Sequence, residues 1–170
     1  LVAPTNETEE QIVAAFEVVF NQKGLGLNDD FTRMGGDSIT AIRLVSLLEK
    51  DGHKFLLSPV GIDEGDSISS KITIVEECAK AITLLGEEPK IALISGGRKN
   101  DKGRSEKIDQ SIETCENIEN LLKDRYDIKH YYILIEEAIK EHANIIIAPA
   151  GITGNLIFRS LVLVAGMKSN

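Results

Sequence analysis

A chain of 170 residues is enough for one ordinary domain or two small ones, and 42% hydrophobic against 27% charged residues suits a globular protein with an aliphatic core, since Trp is absent. The formal net charge of -8 excludes a cationic nucleic-acid groove or a face built for anionic lipid, and fits docking onto basic patches of partner enzymes. No basic segment followed by an apolar stretch opens the chain, and the apolar run from Leu156 to Gly166 is broken by Arg159, so the expectation is a soluble, cytoplasmic protein.

In chain order, Asn6-Glu7-Thr8-Glu9 has the form of a capping box, followed by Ile12, Val13, Phe16, Val19 and Phe20 at helical spacing and a stop at Gly24. A polar loop runs to Asp37. A second helix is expected from Ser38, with Ile39, Ile42, Val45 and Leu48 turned inward and Lys50-Asp51-Gly52 closing it. After Lys54 the pattern alternates. Helices are expected over 67–85, 105–123, 134–141 and from Gly154 onward, with strands over 90–94, 128–132 and 144–148. Such alternation predicts a mostly parallel sheet covered by helices. The division is therefore a helical segment over residues 1–54 and an α/β segment over residues 55–170.

Met34-Gly35-Gly36-Asp37-Ser38-Ile39 carries the most chemistry. Two glycines allow a tight turn and close approach of a bulky group. Ser38 is placed at a helix N-terminus, where free N–H groups and the helix dipole favour a phosphodiester. Read alone, the tetrapeptide Gly-Gly-Asp-Ser is more readily a loop ending in a helix cap, and it is the wider context that reverses this. Ala3-Pro4-Thr5, Phe31, and Gly35-Gly36-Asp37-Ser38-Ile39 followed by Ala41-Ile42-Arg43-Leu44 resemble the peptidyl carrier domains of nonribosomal peptide synthetases. The resemblance covers residues 3 to about 54 and implies an all-α fold. It implies covalent 4′-phosphopantetheine on Ser38, flanked by Gly36, Asp37 and Ile39. The implied partners are a phosphopantetheinyl transferase and the synthetase catalytic domains.

Two later loops follow strands and open helices. Ser95-Gly96-Gly97-Arg98, continued to Arg104, and Gly151, Thr153, Gly154 and Asn155 can hold a small anion between glycine-rich backbone and cations, although no Walker pattern is present. Both loops are expected on one edge of the sheet. The bland alternatives are a solvated basic loop and a plain strand-to-helix turn. Phe55-Leu56-Leu57-Ser58-Pro59-Val60-Gly61-Ile62-Asp63-Glu64-Gly65, Ile94 to Arg98, His130, Ile133 to Glu136 and Gly154 to Arg159 resemble the methyltransferase subunit X-like family. That family is similar to phosphate acetyl- and butyryltransferases, which handle acyl phosphates and coenzyme A. The resemblance implies a phosphotransacetylase-like α/β fold over residues 55 to about 166.

The combined expectation is a carrier segment joined near Phe55 to a partial phosphotransacetylase-like domain, with no catalytic residue assigned and turnover not expected from this chain alone. The rival readings are a transferase that binds acyl phosphate or coenzyme A, and an inactive scaffold. His53, His130 and His142 show no zinc spacing, and no metal is expected. Cys78 and Cys115 read as reduced core thiols. Asp63, Glu64 and Asp66 read as a solvating turn, and Tyr131 and Tyr132 as sheet residues. An incomplete sheet leaves edges onto which a second copy can pair.

Overall fold

The computed structural model describes residues 46–50, 52–60 and 67–169. The expected N-terminal helices, the turn at Asp63–Asp66 and the candidate residues Gly36, Asp37, Ser38 and Ile39 lie outside the described residues.

The described residues form a six-stranded sheet between two layers of helix. The strands are β1 (Ser46–Lys50), β2 (His53–Ser58), β3 (Lys90–Ile94), β4 (Asp127–Tyr132), β5 (Ile145–Ile147) and β6 (Lys168–Ser169), in the order β4-β3-β5-β2-β1-β6. β4, β3, β5 and β2 are parallel, and β1 runs antiparallel to both β2 and β6. The helices are α1 (Ile68–Leu84), α2 (Glu106–Leu122), α3 (Ile135–Lys140) and α4 (Gly151–Phe158), the last continued by a π-helical turn over Arg159–Val164. The mostly parallel α/β arrangement expected of the second segment is the one found.

Alternation along the strands sorts the core into two layers. Leu56, Ile91, Leu93, Ile145 and Ile147 face α1 and α2, meeting Ile74, Val75, Cys78, Ile118 and Leu122. Phe55, Leu57, Ala92, Ile94 and Ile146 face α3, α4 and the π turn, with Ile135, Ile157, Phe158 and Leu161 packed on them. β3 and β5 are apolar on both faces, as buried parallel strands must be.

Local signals set the helix starts. The Ser67 hydroxyl accepts the Ser70 N–H at 3.1 Å, and the Ser70 hydroxyl oxygen accepts the Ser67 N–H at 3.2 Å, a reciprocal cap worth about 1 kcal/mol. At α2 the Ser105 hydroxyl accepts the Ile108 N–H at 3.2 Å.

Two expectations are corrected. The second predicted helix does not reach Leu48. Ser46–Lys50 is a strand, and the pairing of Lys50 with His53 leaves only two residues for the turn. Asp-Gly is a strong hairpin signal because the tight turn needs positive φ, and Gly52 has φ of +79°. Leu48 is buried as expected, but against Phe55 and Leu57 across a hairpin. The last helix starts at Gly151 rather than at Gly154, which lies in its interior.

Asn144 fastens the amino-terminal edge of the sheet. Its side chain donates to the Glu88 carbonyl at 2.8 Å and accepts the Lys90 N–H at 2.7 Å, while its own N–H bonds the Lys90 carbonyl. Asn144→Ala is expected to cost about 2 kcal/mol, because two backbone groups lose their partners, read as a lower urea midpoint at unchanged slope.

Candidate functional site

Both glycine-bearing loops leave the carboxyl ends of neighbouring parallel strands. Leu93 on β3 pairs with Ile147 on β5. Ser95 and Pro149 each stand two residues beyond that pair. From β3 the chain passes through α2 to β4 on one side, and from β5 it passes through α4 toward β6 on the other. The loops therefore flank a reversal of strand order, where open α/β sheets bind ligands.

Within the first loop the backbone donors are mostly engaged. The Gly96 N–H bonds the Ser111 hydroxyl at 2.9 Å, the Arg98 N–H bonds Asp101 Oδ2 at 2.8 Å, and the Gly103 N–H bonds Asp109 Oδ1 at 2.7 Å. Arg104 is paired with Asp101 at 3.2 Å. The exposed side chains of Arg98 and Lys99 are thus the groups placed to meet an anion. Gly97 is required for packing, since a Cβ there would stand 2.8 Å from Ile108 Cγ2.

The second loop divides differently. Gly151 and Gly154 are buried, Thr153 is exposed and Asn155 is half-buried. A Cβ on Gly154 would collide with the Pro59 backbone carbonyl and approach Ala148 Cβ to 3.2 Å. Gly154 is thus the point where α4 closes on the end of β2. Thr153 and Asn155 are left as polar side chains of α4 beside the loop edge, and Ala150, which precedes the helix, makes no side-chain cap.

A buried pair that the sequence reading did not connect lies beneath the first loop. Ser95 Oγ is 2.7 Å from His130 Nε2, and the residues are 1% and 6% exposed. The His130 ring stacks on Tyr132 at 4.0 Å, and the Glu119 carboxylate accepts the His130 backbone N–H. Burial holds the imidazole pKa below its ordinary value of 6.5, against an opposing pull from Glu119 and Glu116. A lowered histidine pKa means that the unfolded chain binds the extra proton first. Its stabilising effect is complete above about pH 6.5 and is lost as pH falls below that value toward the folded pKa. Wild type is therefore expected to lose more urea resistance than His130→Gln between about pH 7.5 and about pH 5.5.

Both cysteines are free and buried, as expected. Burial pushes the Cys78 thiol up to about 12, aided by Glu77 and partly offset by the Ser58 hydroxyl. Burial likewise pushes Cys115 up to about 11, with Lys71 opposing. Among the described residues there is no cluster of three metal-ligating side chains, and no helix is long and apolar enough to cross a membrane.

Residues 10–55 match the family described as the phosphopantetheine attachment site. Bacitracin synthase 2 of Bacillus licheniformis is 46% identical over 48 residues, covering 28% of this chain and 2% of that protein. A different relative accounts for most of the remainder. The putative methyltransferase mtx subunit X of Methanosarcina mazei is 47% identical over 125 residues, 73% of this chain and 44% of that protein. The chain has two parts. Its first part is of the kind that bears covalent 4′-phosphopantetheine. The described α/β residues fit the fold of a branched-chain phosphotransacylase from Enterococcus faecalis V583, a likeness that runs over 99% of this chain and 70% of that one at a TM-score of 0.60 and 19% identity. The chain spans less than half the length of the curated mtx subunit X relative. The carrier-family match ends inside β2, so residues that resemble a carrier in sequence supply β1 and the start of β2 to the sheet.

Proposed function

We propose that this chain is a carrier: Ser38 takes the 4′-phosphopantetheine arm, whose terminal thiol holds an aminoacyl or peptidyl thioester for a nonribosomal peptide synthetase. The observation carrying this reading is the match of residues 10–55 to the attachment-site family, with Gly35-Gly36-Asp37-Ser38-Ile39 inside it. Gly36 and Asp37 shape the approach and Ile39 gives the apolar turn for the modifying enzyme. The partners are a phosphopantetheinyl transferase and the synthetase catalytic domains. In this reading residues 1–54 form the carrier part, whose end supplies β1 and the start of β2. Residues 55–170 form a partial phosphotransacetylase-like part joined to it, and the protein acts in the cytoplasm.

Intact-protein mass after incubation with coenzyme A and a broad-specificity phosphopantetheinyl transferase tests it. One phosphopantetheine unit is expected on wild type and none on Ser38→Ala. A folded wild type that gains no mass overturns the carrier reading.

A second reading gives the α/β part a ligand of its own, an acyl phosphate or the phosphate end of coenzyme A. The placement of both glycine loops on one sheet edge favours it, together with the phosphotransacylase-like fold. Arg98 and Arg104, with Ser95, Gly96 and Gly97, serve one side of the anion, and Gly151, Thr153, Gly154 and Asn155 serve the other. Because Arg104 is already paired and three loop N–H groups are engaged, Arg98 supplies most of the charge. Coenzyme A titrated against wild type and Arg98→Ala by calorimetry decides this reading. Equal affinity, or no binding to wild type, removes it.

A further inference from the structure

Ser95 and His130 place a hydroxyl and an imidazole together at the carboxyl end of the parallel sheet. At 2.7 Å, Ser95 Oγ is within hydrogen-bond reach of His130 Nε2, and His130 Nδ1 has no partner among the described residues. With the ring proton on Nδ1, the Ser95 hydroxyl donates to Nε2, which is the arrangement that activates a serine. The ring is held by its stack on Tyr132. Tyr132 has φ of 58°, a left-handed backbone uncommon outside glycine, and the β3–β4 register shifts beside it between Leu93 and Ile94. Backbone held this way at the end of a strand clusters at functional sites.

Ser95 and His130 are buried, so an acyl group reaches them only when the 96–104 loop moves. Gly96, directly after Ser95, is exposed and has no side chain, and Gly103 at the far end of the loop has φ of +92°. Lys102 and Glu116, both acting electrostatically on His130, tie the loop to α2 through an ion pair of 3.1 Å. Their side chains are 52% and 35% exposed, so water screens the pair, and the bonds from Gly96 N–H to Ser111 and from Gly103 N–H to Asp109 hold the loop to the helix as well.

The geometry points to Ser95 as a nucleophile and His130 as its general base for an acyl thioester, a class of electrophile chosen because it rests on the carrier reading above. Ser95 Oγ gives its proton to His130 Nε2 and attacks the thioester carbonyl. The C–S bond breaks, the thiolate takes the proton back from Nε2, and the acyl group remains as an ester on Ser95. No oxidant, reductant or metal is consumed. Admitting the acyl group requires the 96–104 loop to release its bonds to Ser111 and Asp109.

A fluorophosphonate probe, which reacts with activated serines without needing phosphopantetheine, tests the pair on the full chain. Wild type and Ser38→Ala are both expected to gain one adduct mapped to Ser95, and His130→Gln is expected to label about 100-fold more slowly. The wild-type labelling rate also gives a readout without a variant: it should fall with decreasing pH as His130 is protonated. Acetyl-N-acetylcysteamine, a free thioester, should then leave one acetyl group on Ser95. Folded wild type that stays unlabelled, labels elsewhere, or labels at a rate indifferent to both His130 and pH overturns the proposal. If Ser38 is pantetheinylated while Ser95 stays inert, this proposal alone fails. If Ser95 labels while Ser38 is never modified, the carrier reading alone fails.

Discussion

Gly154→Ala is expected to unfold the α/β part or cost it about 3–5 kcal/mol, more than the same change at Gly96, Gly97 or Gly103. The added Cβ would fall on the Pro59 carbonyl oxygen, and that oxygen belongs to backbone directly after β2, so no rotamer change relieves the clash. Nor can α4 simply retreat. Ile157 and Phe158 of α4 pack on the core face formed by Phe55, Leu57 and Ile146. Backing the helix away to admit one methyl would open a void under both of them, trading overpacking for lost contact. Gly103→Ala is the fitting control: nothing lies within 4 Å of its added Cβ, and its cost is confined to the strain of φ +92°. Urea denaturation of the two variants beside wild type measures the difference. Equal midpoints would mean that α4 does not close on β2 as described.

That role of Gly154 shows what the sequence leaves hidden. A glycine before Asn155 in a loop after an apolar strand reads equally as an anion cradle and as a close-packing residue, because glycine serves both by lacking a side chain. Only the position of Pro59, 95 residues earlier, separates the two. Elements set by local periodicity were readable: the spacing of Ile74, Cys78 and Ile82 fixes α1, and the unbroken apolar run Ile91–Ile94 fixes β3. β1 was not readable as a strand. Leu47, Leu48 and Glu49 favour a helix, and the strand exists because the chain turns back at Gly52 and β2 offers an edge; tertiary pairing overrides local preference there.

The candidate site was legible to the same extent. Strand ends followed by glycines put both loops on one sheet edge, and β3–β5 pairing has them there. Their hydrogen bonding could not be foreseen, since Ser111 and Asp109 reach back from α2 to occupy the Gly96 and Gly103 donors. Ser95 follows β3 and His130 lies on β4, 35 residues later, and no spacing rule links them. A weak signal was present in His130 itself, a polar residue two places after Ile128, on the buried face of a strand whose Asp127 and Lys129 are exposed.

The thiol chemistry of the chain gives the second large expected effect. The sequence holds two cysteines, and burial raises both, Cys78 to about 12 and Cys115 to about 11. Thiolate is the reactive form, so near neutral pH neither side chain should be alkylated in the folded protein. Unmodified wild type is therefore expected to react with no equivalent of a thiol reagent when native and with two when denatured. Transfer of phosphopantetheine to Ser38 adds a thiol on a long arm, and the native count should rise from none to one. The buried cysteines thus act as a silent background against which the arm is counted, and the same titration separates two failures. A native count above zero before modification would mean that the α1–α2 layer opens and the core is looser than described. A count that stays at zero after the transferase reaction, with Ser38→Ala indistinguishable from wild type, would remove the carrier assignment while leaving the α/β fold intact.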